Sequence, residues 1–214
     1  HPQHKQLWAT LTGKAAALDR LAHQVAKRDG PQIQHRVALT DGCEALQQRV
    51  AGHFPAFTLV LDFVHASEYL WKAANSLFGE QAPKRTPWVE QQALALLSGH
   101  ADQVIAACQT LAQHPKRTKS QRLTLHAVAA YLQRNRPFMR YDHYLAQGWP
   151  IASGVIEGAC RHLVKDRCEL SGMRWTQSGA ENLLQLRAVA EAAARVVAED
   201  IAALGGDAKP DIAA

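Results

Sequence analysis

The sequence predicts an α/β chain that is mainly helical, with two short strands near its start. Three observations lead to this prediction. Two β-compatible apolar runs, each ending in an aspartate, are separated by a short helical stretch. Residues 66–148 then read as helices with short interruptions. Finally, Pro150 marks a boundary and Ser153 can cap the first of two further helices.

The first predicted element is an amphipathic helix over residues 5–28. Its apolar residues recur at positions 7, 11, 18, 21 and 25, and Asp29-Gly30-Pro31 follows as a helix-breaking cluster. The first strand follows in the text HRVALTDG, residues 35–42, which ends in an Asp-Gly turn at residues 41–42.

A helix from Glu44 to Val50 and a second strand from Phe57 to Asp62 follow the Asp-Gly turn. Because a helix separates the two strands, we expect a parallel pair. The carboxyl ends of parallel strands lie at the same edge of a sheet, which would bring Asp41 and Asp62 close together.

The helical block should contain several helices with recognisable ends. Thr86 is the predicted N-cap of one helix, with Pro87 at its first position. Residues 114–122, HPKRTKSQR, are predicted to be a basic connection. Beyond the block, one helix should run from Ser153 to Gly172 and a last one from about Ser178 to Leu204, before a frayed tail at 205–214.

Composition limits the class of protein. Lys and Arg number 24 against 19 Asp and Glu, and the pI is near 9.2, so a polyanionic partner is compatible with the charge. The basic residues could equally form solvated helix faces. No apolar run reaches the roughly 20 residues of a membrane span, and no export signal opens the sequence. The four cysteines form no CxxC pair, which favours reduced thiols and a cytoplasmic protein.

Two acidic residues are candidates for chemistry. Asp41 follows a strand, where its carboxylate can face a cleft, although Asp-Gly is also ordinary turn chemistry. Glu157 lies near the start of a helix, with Arg161 and Lys165 at i+4 and i+8. It is either a metal-binding acid flanked by phosphate-binding bases, or a carboxylate that stabilises the helix N-terminus beside an ion-paired stripe.

Another candidate pair is Asp62 and His65, which has too few neighbouring ligands for a zinc site. A buried histidine hydrogen-bonded to a neighbouring acid is the simpler interpretation. A set of basic residues could follow a nucleic-acid backbone or form a solvated helix face: Lys116, Arg117, Lys119, Arg122, Arg134, Arg136 and Arg140. No GxxxxGK[ST], GxGxxG, HExxH or GxSxG motif is present, so nucleotide-binding loops, zinc proteases and serine hydrolases lack their local signatures.

Three blocks together resemble the C-terminal part of the Kra-type bacterial insertion-sequence transposases, which are related to the Mutator-like elements. The blocks are VALTDGCEALQQRV, FPAFTLVLDFVHASEYLWKAANSLFGE and GWPIASGVIEGACRHLVKDRCELSGMRWTQSGAENLLQLRAV. They occur in the family's order and cover about two fifths of the chain. The helical stretch between them resembles the family only loosely.

The resemblance implies a ribonuclease H-like DDE recombinase. Its sheet carries one aspartate on the first strand and one after the fourth, and a glutamate lies on a later helix. Asp41 would be the second catalytic acid and Glu157 the third, both as metal ligands, with Asp62 and His65 auxiliary. Arg161, Lys165, Lys116, Arg117 and Lys119 would contact DNA. Two Mg²⁺ or Mn²⁺ ions, transposon-end and target DNA, and a homo-oligomer are the implied cofactors and partners.

The resemblance also implies a truncated ribonuclease H-like core with an all-α insertion. Residues 1–65 would be the first part of that core, 66–148 the insertion, 149–204 its C-terminal helices and 205–214 a tail. The first catalytic aspartate has no counterpart, because Asp19 lies inside the first helix and Asp29 in the turn after it. Two alternatives stay open: a non-catalytic helical DNA-binding or interaction protein, and a structure-specific nuclease with the same fold.

Overall fold

The structure is a computed structural model that describes the backbone of residues 6–169 and 172–204. Outside the described residues lie the predicted tail at 205–214 and the side chains of Val155, Glu157, Arg167 and residues 192–204. The chain forms two compact units: a central unit, Ala22–Ser153, and a terminal unit, His1–Leu21 with Gly154–Ala214. Both strands and the whole helical block therefore belong to the central unit.

The first helix, α1 (Lys14–Ala26), is shorter than the predicted span of residues 5–28. The hydroxyl of Thr10 accepts a hydrogen bond from the Thr12 amide, at 3.2 Å. Gly13, with a φ of +100°, immediately precedes the helix. This local turn uses backbone groups that a longer helix would need, so the apolar spacing of residues 7 and 11 belongs to an irregular segment.

A parallel pair of strands follows, as the sequence predicts. Strand β1 (Val37–Thr40) leads into helix α2 (Glu44–His53) and then into strand β2 (Thr58–Leu61). The register pairs Val37 with Thr58 and Thr40 with Leu61, so both strands end side by side. Among the described residues no third strand pairs with β1, which leaves the outer edge of this strand unpaired.

Five α-helices of the central unit follow β2. They are α3 (Phe63–Phe78), α4 (Arg85–Leu97), α5 (Ala101–Gln113), α6 (Lys119–Asn135) and α7 (Tyr141–Ala146), with a 3₁₀ turn at Arg136–Phe138. The chain is mainly helical, in agreement with the predicted class. In the part of the chain that the structure describes, no helix combines the length and apolarity needed to span a bilayer.

Two helix starts in this block differ from the prediction. Helix α4 begins after Lys84, so Thr86 is not an N-cap. Arg85 is already helical, with its guanidinium 5.0 Å from the centre of the Trp71 ring, and Pro87 is tolerated because the amides of the first turn need no intrahelical acceptor. Helix α6 begins at Lys119, inside the predicted connection, because Thr118 and Gln121 form a reciprocal capping box.

The core of the central unit lies between the sheet and helices α3 to α6. Helix α3 packs against α4 and α6, and α5 packs against α6. Small side chains on α3 allow this close approach, because Ala66, Ala73 and Ala74 are completely buried. Cys108 is buried on α5, and the apolar surroundings raise the pKa of its thiol to about 11, so it is a packing residue.

The terminal unit contains helices α8 (Gly154–Cys160), α9 (Asp166–Cys168) and α10 (Gln177–Leu204). The predicted helix from Ser153 to Gly172 is therefore interrupted, because Arg161–Lys165 form a π-helical turn between α8 and α9. Arg187 on α10 donates to the carbonyl of Leu163, at 3.0 Å, and to that of His162. A guanidinium thus provides a partner for carbonyl groups of the widened turn.

Candidate functional site

Asp41 lies directly after β1, at the edge of the sheet where both strands end. Its side chain is exposed, as a residue that binds a ligand or metal ion would be. One carboxylate oxygen, Oδ1, accepts a hydrogen bond from the backbone amide of Cys43 at 2.9 Å. This local bond fixes the turn and uses one of the two carboxylate oxygens.

Helix α6 of the helical block contacts this turn from a distant part of the sequence. The Tyr131 hydroxyl donates to the carbonyl of Asp41, at 3.3 Å, across 90 positions of sequence. The Arg134 guanidinium donates to the carbonyl of Gly42 at 2.7 Å. Burial raises the pKa of Tyr131, and the phenol therefore remains a protonated donor at neutral pH. The ring stacks on Tyr69, with centroids 3.5 Å apart.

A buried amide network connects the same elements beneath the turn. The Gln47 side-chain amide of α2 donates to Asn135 Oδ1 at 2.8 Å and to the Thr40 hydroxyl at 3.3 Å. Asn135 in turn donates to the carbonyl of Tyr131 at 3.0 Å. Gln47, Thr40 and Asn135 are all buried, so these bonds form away from competing water. The position of Asp41 is therefore determined by β1, α2 and α6 together.

Replacing Gly42 with alanine tests how tightly the turn is packed. Gly42 has a φ of +77°, and an added Cβ would lie 2.3 Å from the Tyr131 hydroxyl and 2.8 Å from Leu61 Cδ1. We expect Gly42→Ala to lower the free energy of unfolding by about 2 kcal/mol, measured by urea denaturation, because strain and overpacking add.

Gly52→Ala is the matched control for this measurement. Gly52 lies on α2 with no atom within 4 Å of an added Cβ, so the substitution should leave stability unchanged or raise it by roughly 0.5–1 kcal/mol. Equal destabilisation by both substitutions would contradict the close contact between α6 and the turn.

Asp62, at the end of β2, has a different role from Asp41. It is 2% exposed, and both of its carboxylate oxygens accept backbone hydrogen bonds. Oδ1 accepts from the amide of Val64 at 2.8 Å and so caps the N-terminus of α3. Oδ2 accepts from the amide of Ser153 at 2.9 Å, 91 positions later in the sequence. Asp62 therefore serves as a structural acceptor at the edge of the sheet.

His65 does not pair with Asp62. Its Nδ1 atom lies 3.0 Å from a carboxylate oxygen of Glu68, one turn along the same helix, and its side chain is 34% exposed. The reason is geometric, since both Asp62 oxygens are already used by amides while Glu68 lies at i+3 on the same face of α3. The local D-x-x-H pattern thus contains a buried cap and a separate surface pair.

The chain returns to the sheet edge after the helical block. The amide of Phe63 donates to the carbonyl of Ile151, at 2.8 Å, and Ser153 follows with its bond to Asp62. The block is therefore an excursion whose two ends meet, as the spacing of Asp41 and Glu157 requires if both serve one site. The central unit ends at Ser153, beside the end of β2.

Glu157 lies on α8, in the terminal unit, and its side chain is outside the described residues. The predicted convergence of Glu157 and Asp41 consequently stays a prediction. Arg161 and Lys165 begin and end the π-helical turn that follows α8, and both are exposed. Exposed cations at these positions are compatible with contacts to a polyanion.

Lys116, Arg117 and Lys119 lie far from Asp41 within the central unit. They occupy the connection before α6 and its first residue, whereas Tyr131 lies twelve residues further along that helix. With a rise of 1.5 Å per residue, the start of α6 is about 18 Å from the residue that contacts Asp41. The sequence alone did not predict that these three bases lie so far from Asp41.

The described side chains do not by themselves make a two-ion site. Among them, no three histidine, cysteine, aspartate or glutamate residues are grouped as metal ligands would be. Asp62 is unsuited to bind a cation because both its oxygens accept amide hydrogen bonds. Asp41 has an exposed carboxylate of the kind that Mg²⁺ binds, but it lacks described partners.

Comparisons with known proteins give no assignment. Neither a protein-family model, nor a curated protein, nor a solved structure matches the chain.

Proposed function

We propose that this chain is the C-terminal part of a cytoplasmic DDE transposase with a ribonuclease H-like core, which cleaves and joins the DNA of an insertion sequence. Asp41 and Glu157 are the second and third catalytic acids of that enzyme. The first acid would lie on a strand outside these 214 residues. DNA is the partner, and the active form is a homo-oligomer.

The position of Asp41 carries the proposal. It is an exposed carboxylate at the C-terminal edge of a parallel β1–α2–β2 unit, where α/β proteins commonly bind ligands. Hydrogen bonds from α6 hold the backbone of this turn, and a buried amide network lies beneath it. The Asp41 side chain itself makes one described hydrogen bond, to the Cys43 amide. Rigid support beneath an exposed acid is the arrangement that a catalytic residue needs.

The route of the chain supports a role for Glu157 at the same edge. Ser153 is hydrogen-bonded to Asp62, and Glu157 follows four residues later. Four residues span at most about 14 Å even when fully extended. The connection is therefore short enough for Glu157 to serve the same site as Asp41, although the sequence separates the two acids by the whole helical block.

The cofactor follows from the ligand type. Carboxylate oxygens bind hard cations, so Mg²⁺ or Mn²⁺ is the expected ion, and two ions are expected in the intact enzyme. With only Asp41 and Glu157 available, this chain should bind such ions weakly. We therefore expect the 214-residue chain alone to be inactive.

The test compares cleavage by two proteins on DNA from the ends of the element that encodes the chain. One is the 214-residue chain, and the other is extended upstream through the strand expected to carry the first aspartate. With Mg²⁺ or Mn²⁺, only the extended protein should cleave. Cleavage by the shorter chain that Glu157→Gln abolishes would show that another acid of this chain, such as Asp19 or Asp29, replaces the missing one.

A non-catalytic DNA-binding protein is the second candidate. It is favoured by the lack of a three-ligand group among the described side chains and by basic residues remote from Asp41. The same experiment separates the candidates, because an extended protein that binds the DNA without cleaving it would support this one. Hydrolysis without strand transfer would instead indicate a nuclease of the same fold.

A further inference from the structure

One end of the helical block carries a concentration of positive charge. This basic end consists of two segments. Residues 79–85 connect α3 to α4 and include the first residue of α4, and residues 113–122 connect α5 to α6 and include the first turn of α6. The two segments contain one acidic residue, Glu80, and six basic residues: Lys84, Arg85, Lys116, Arg117, Lys119 and Arg122. The net charge of this small surface therefore equals that of the whole chain, +5.

Hydrogen bonds bring the two segments together at the last turn of α3. The Gln121 side chain donates to the carbonyl of Ser76 at 2.8 Å, which places the first turn of α6 there. Arg85 donates to the side chain of Asn75 at 3.2 Å, which places the start of α4 beside it. The six basic residues thus belong to one surface, although up to 38 positions separate them in sequence.

The positive charge of this surface is not neutralised within the described residues. No described carboxylate forms an ion pair with any of the six side chains; the described ion pairs involve other bases. The Nε atoms of Arg85 and Arg117 are buried without a described hydrogen-bond acceptor. Neither α4 nor α6 has an acidic residue in its first turn, so both helix dipoles add positive potential.

The chemistry of the basic end favours a phosphate backbone over exposed bases. Proteins that bind single strands stack bases on exposed aromatic rings. The aromatic residues near this end, Trp71, Phe78 and Trp88, instead pack against the core. Lysine and arginine without such stacking platforms contact phosphates and read no sequence.

We propose that the basic end is a second DNA-binding surface, which contacts the backbone of duplex DNA away from the Asp41 turn. This inference rests on the proposed function only in taking DNA as the polyanion. Along α6 the two surfaces are about 18 Å apart, which corresponds to about five base pairs. The helical block thus binds the duplex beside the position where cleavage would occur and aligns it with the strand ends.

The test measures duplex binding by fluorescence anisotropy across a salt series, with EDTA present so that no cleavage contributes. In the test variant Lys84, Lys116 and Lys119, which are exposed, are replaced by glutamine. The matched control replaces three exposed bases elsewhere in the central unit, Lys27, Arg49 and Arg140. The slope of log K against log salt should fall in magnitude by about 2.7 in the test variant, at about 0.9 per phosphate contact, and change little in the control.

Three results would overturn the proposal. First, the slope of log K against log salt could stay unchanged in a test variant whose thermal unfolding midpoint matches that of the unmodified protein. Second, the slope could fall equally in the control variant, which would indicate a general effect of net charge. Polyglutamate could also compete as well as duplex DNA at equal charge, which would indicate an acidic protein as the partner. Because binding is measured without divalent ions, a failure of the proposed catalytic function would leave the expected slope change intact.

Discussion

Asp41→Asn is expected to lower DNA cleavage by the upstream-extended protein by about 10³-fold, because a metal-binding charge is worth several kcal/mol in such a reaction and 1.36 kcal/mol is tenfold in rate. Glu157→Gln should have an effect of the same size. The two effects should not multiply in the double variant, since the acids act as one unit. Initial rates of strand cleavage measure all three variants.

Glu44→Gln is the control for Asp41→Asn. Glu44 is an exposed carboxylate three residues later, 3.9 Å from Arg134 and outside the proposed acid set. A surface ion pair of this kind contributes about 0–1 kcal/mol, so cleavage should stay within a few-fold of the unmodified protein. Full activity of Asp41→Asn would exclude Asp41 from catalysis and with it the DDE assignment.

Asp62→Ala should give the largest loss of stability among the acidic residues discussed. The substitution removes the cap of α3 and leaves the part-buried amide of Ser153 without its acceptor. Loss of a cap costs roughly 0.5–2 kcal/mol and an unsatisfied buried donor about 1–3 kcal/mol, so we expect a decrease of about 2–4 kcal/mol in the free energy of unfolding. Urea denaturation followed by circular dichroism measures it.

Two further variants, Asp62→Asn and Asp41→Ala, test the structural role of Asp62. In Asp62→Asn the side-chain oxygen can still accept from the Val64 amide, but the NH2 group cannot accept from the Ser153 amide. The decrease in the free energy of unfolding should therefore lie between zero and that of Asp62→Ala. Asp41→Ala removes only an exposed local bond, and its loss should be about 1 kcal/mol or less. If Asp62→Ala were no more destabilising than Asp41→Ala, the structural role of Asp62 would be wrong.

The sheet and its two aspartates could be predicted because their signals are local. Apolar runs bounded by turn residues predicted β1 and β2, and the intervening helix predicted a parallel pair. The positions of Asp41 and Asp62 at the strand ends follow directly from these elements. The different environments of the two aspartates could not be predicted in this way. Only the structure shows that Asp62 is buried and accepts a hydrogen bond from Ser153, 91 positions later.

Helix starts were less predictable, although one signal was present. The text Thr-Lys-Ser-Gln at residues 118–121 is a capping box and would have placed the start of α6 correctly. The start of α4 depends instead on the contacts of Arg85 with Trp71 and Asn75, which the linear sequence does not express. Tertiary contacts outweigh the weak preference of Thr86 for an N-cap.

The contacts of Tyr131 and Arg134 with the turn after β1 are the part of the site that the sequence did not predict. They lie 90 and 92 positions from the backbone groups that they contact, inside the helical block. An aromatic and a basic residue on a helix are ordinary surface features. No local pattern could have distinguished them, because their role depends on which side of α6 packs against the turn after β1.

The meeting of Phe63 with Ile151 has a consequence for how proteins of this kind can diversify. The two ends of the helical block are joined by the hydrogen bond from the Phe63 amide to the Ile151 carbonyl, at 2.8 Å. A segment whose ends are this close can be lengthened, shortened or exchanged with little displacement of the sheet, as in other tolerated domain insertions. The constraint lies in α6, which supplies Tyr131 and Arg134, and in α7, where the Tyr141 hydroxyl donates to the carbonyl of Leu61 at 3.0 Å. Natural length variation should therefore accumulate around α4 and α5, while the spacing from α6 to Ser153 stays constant.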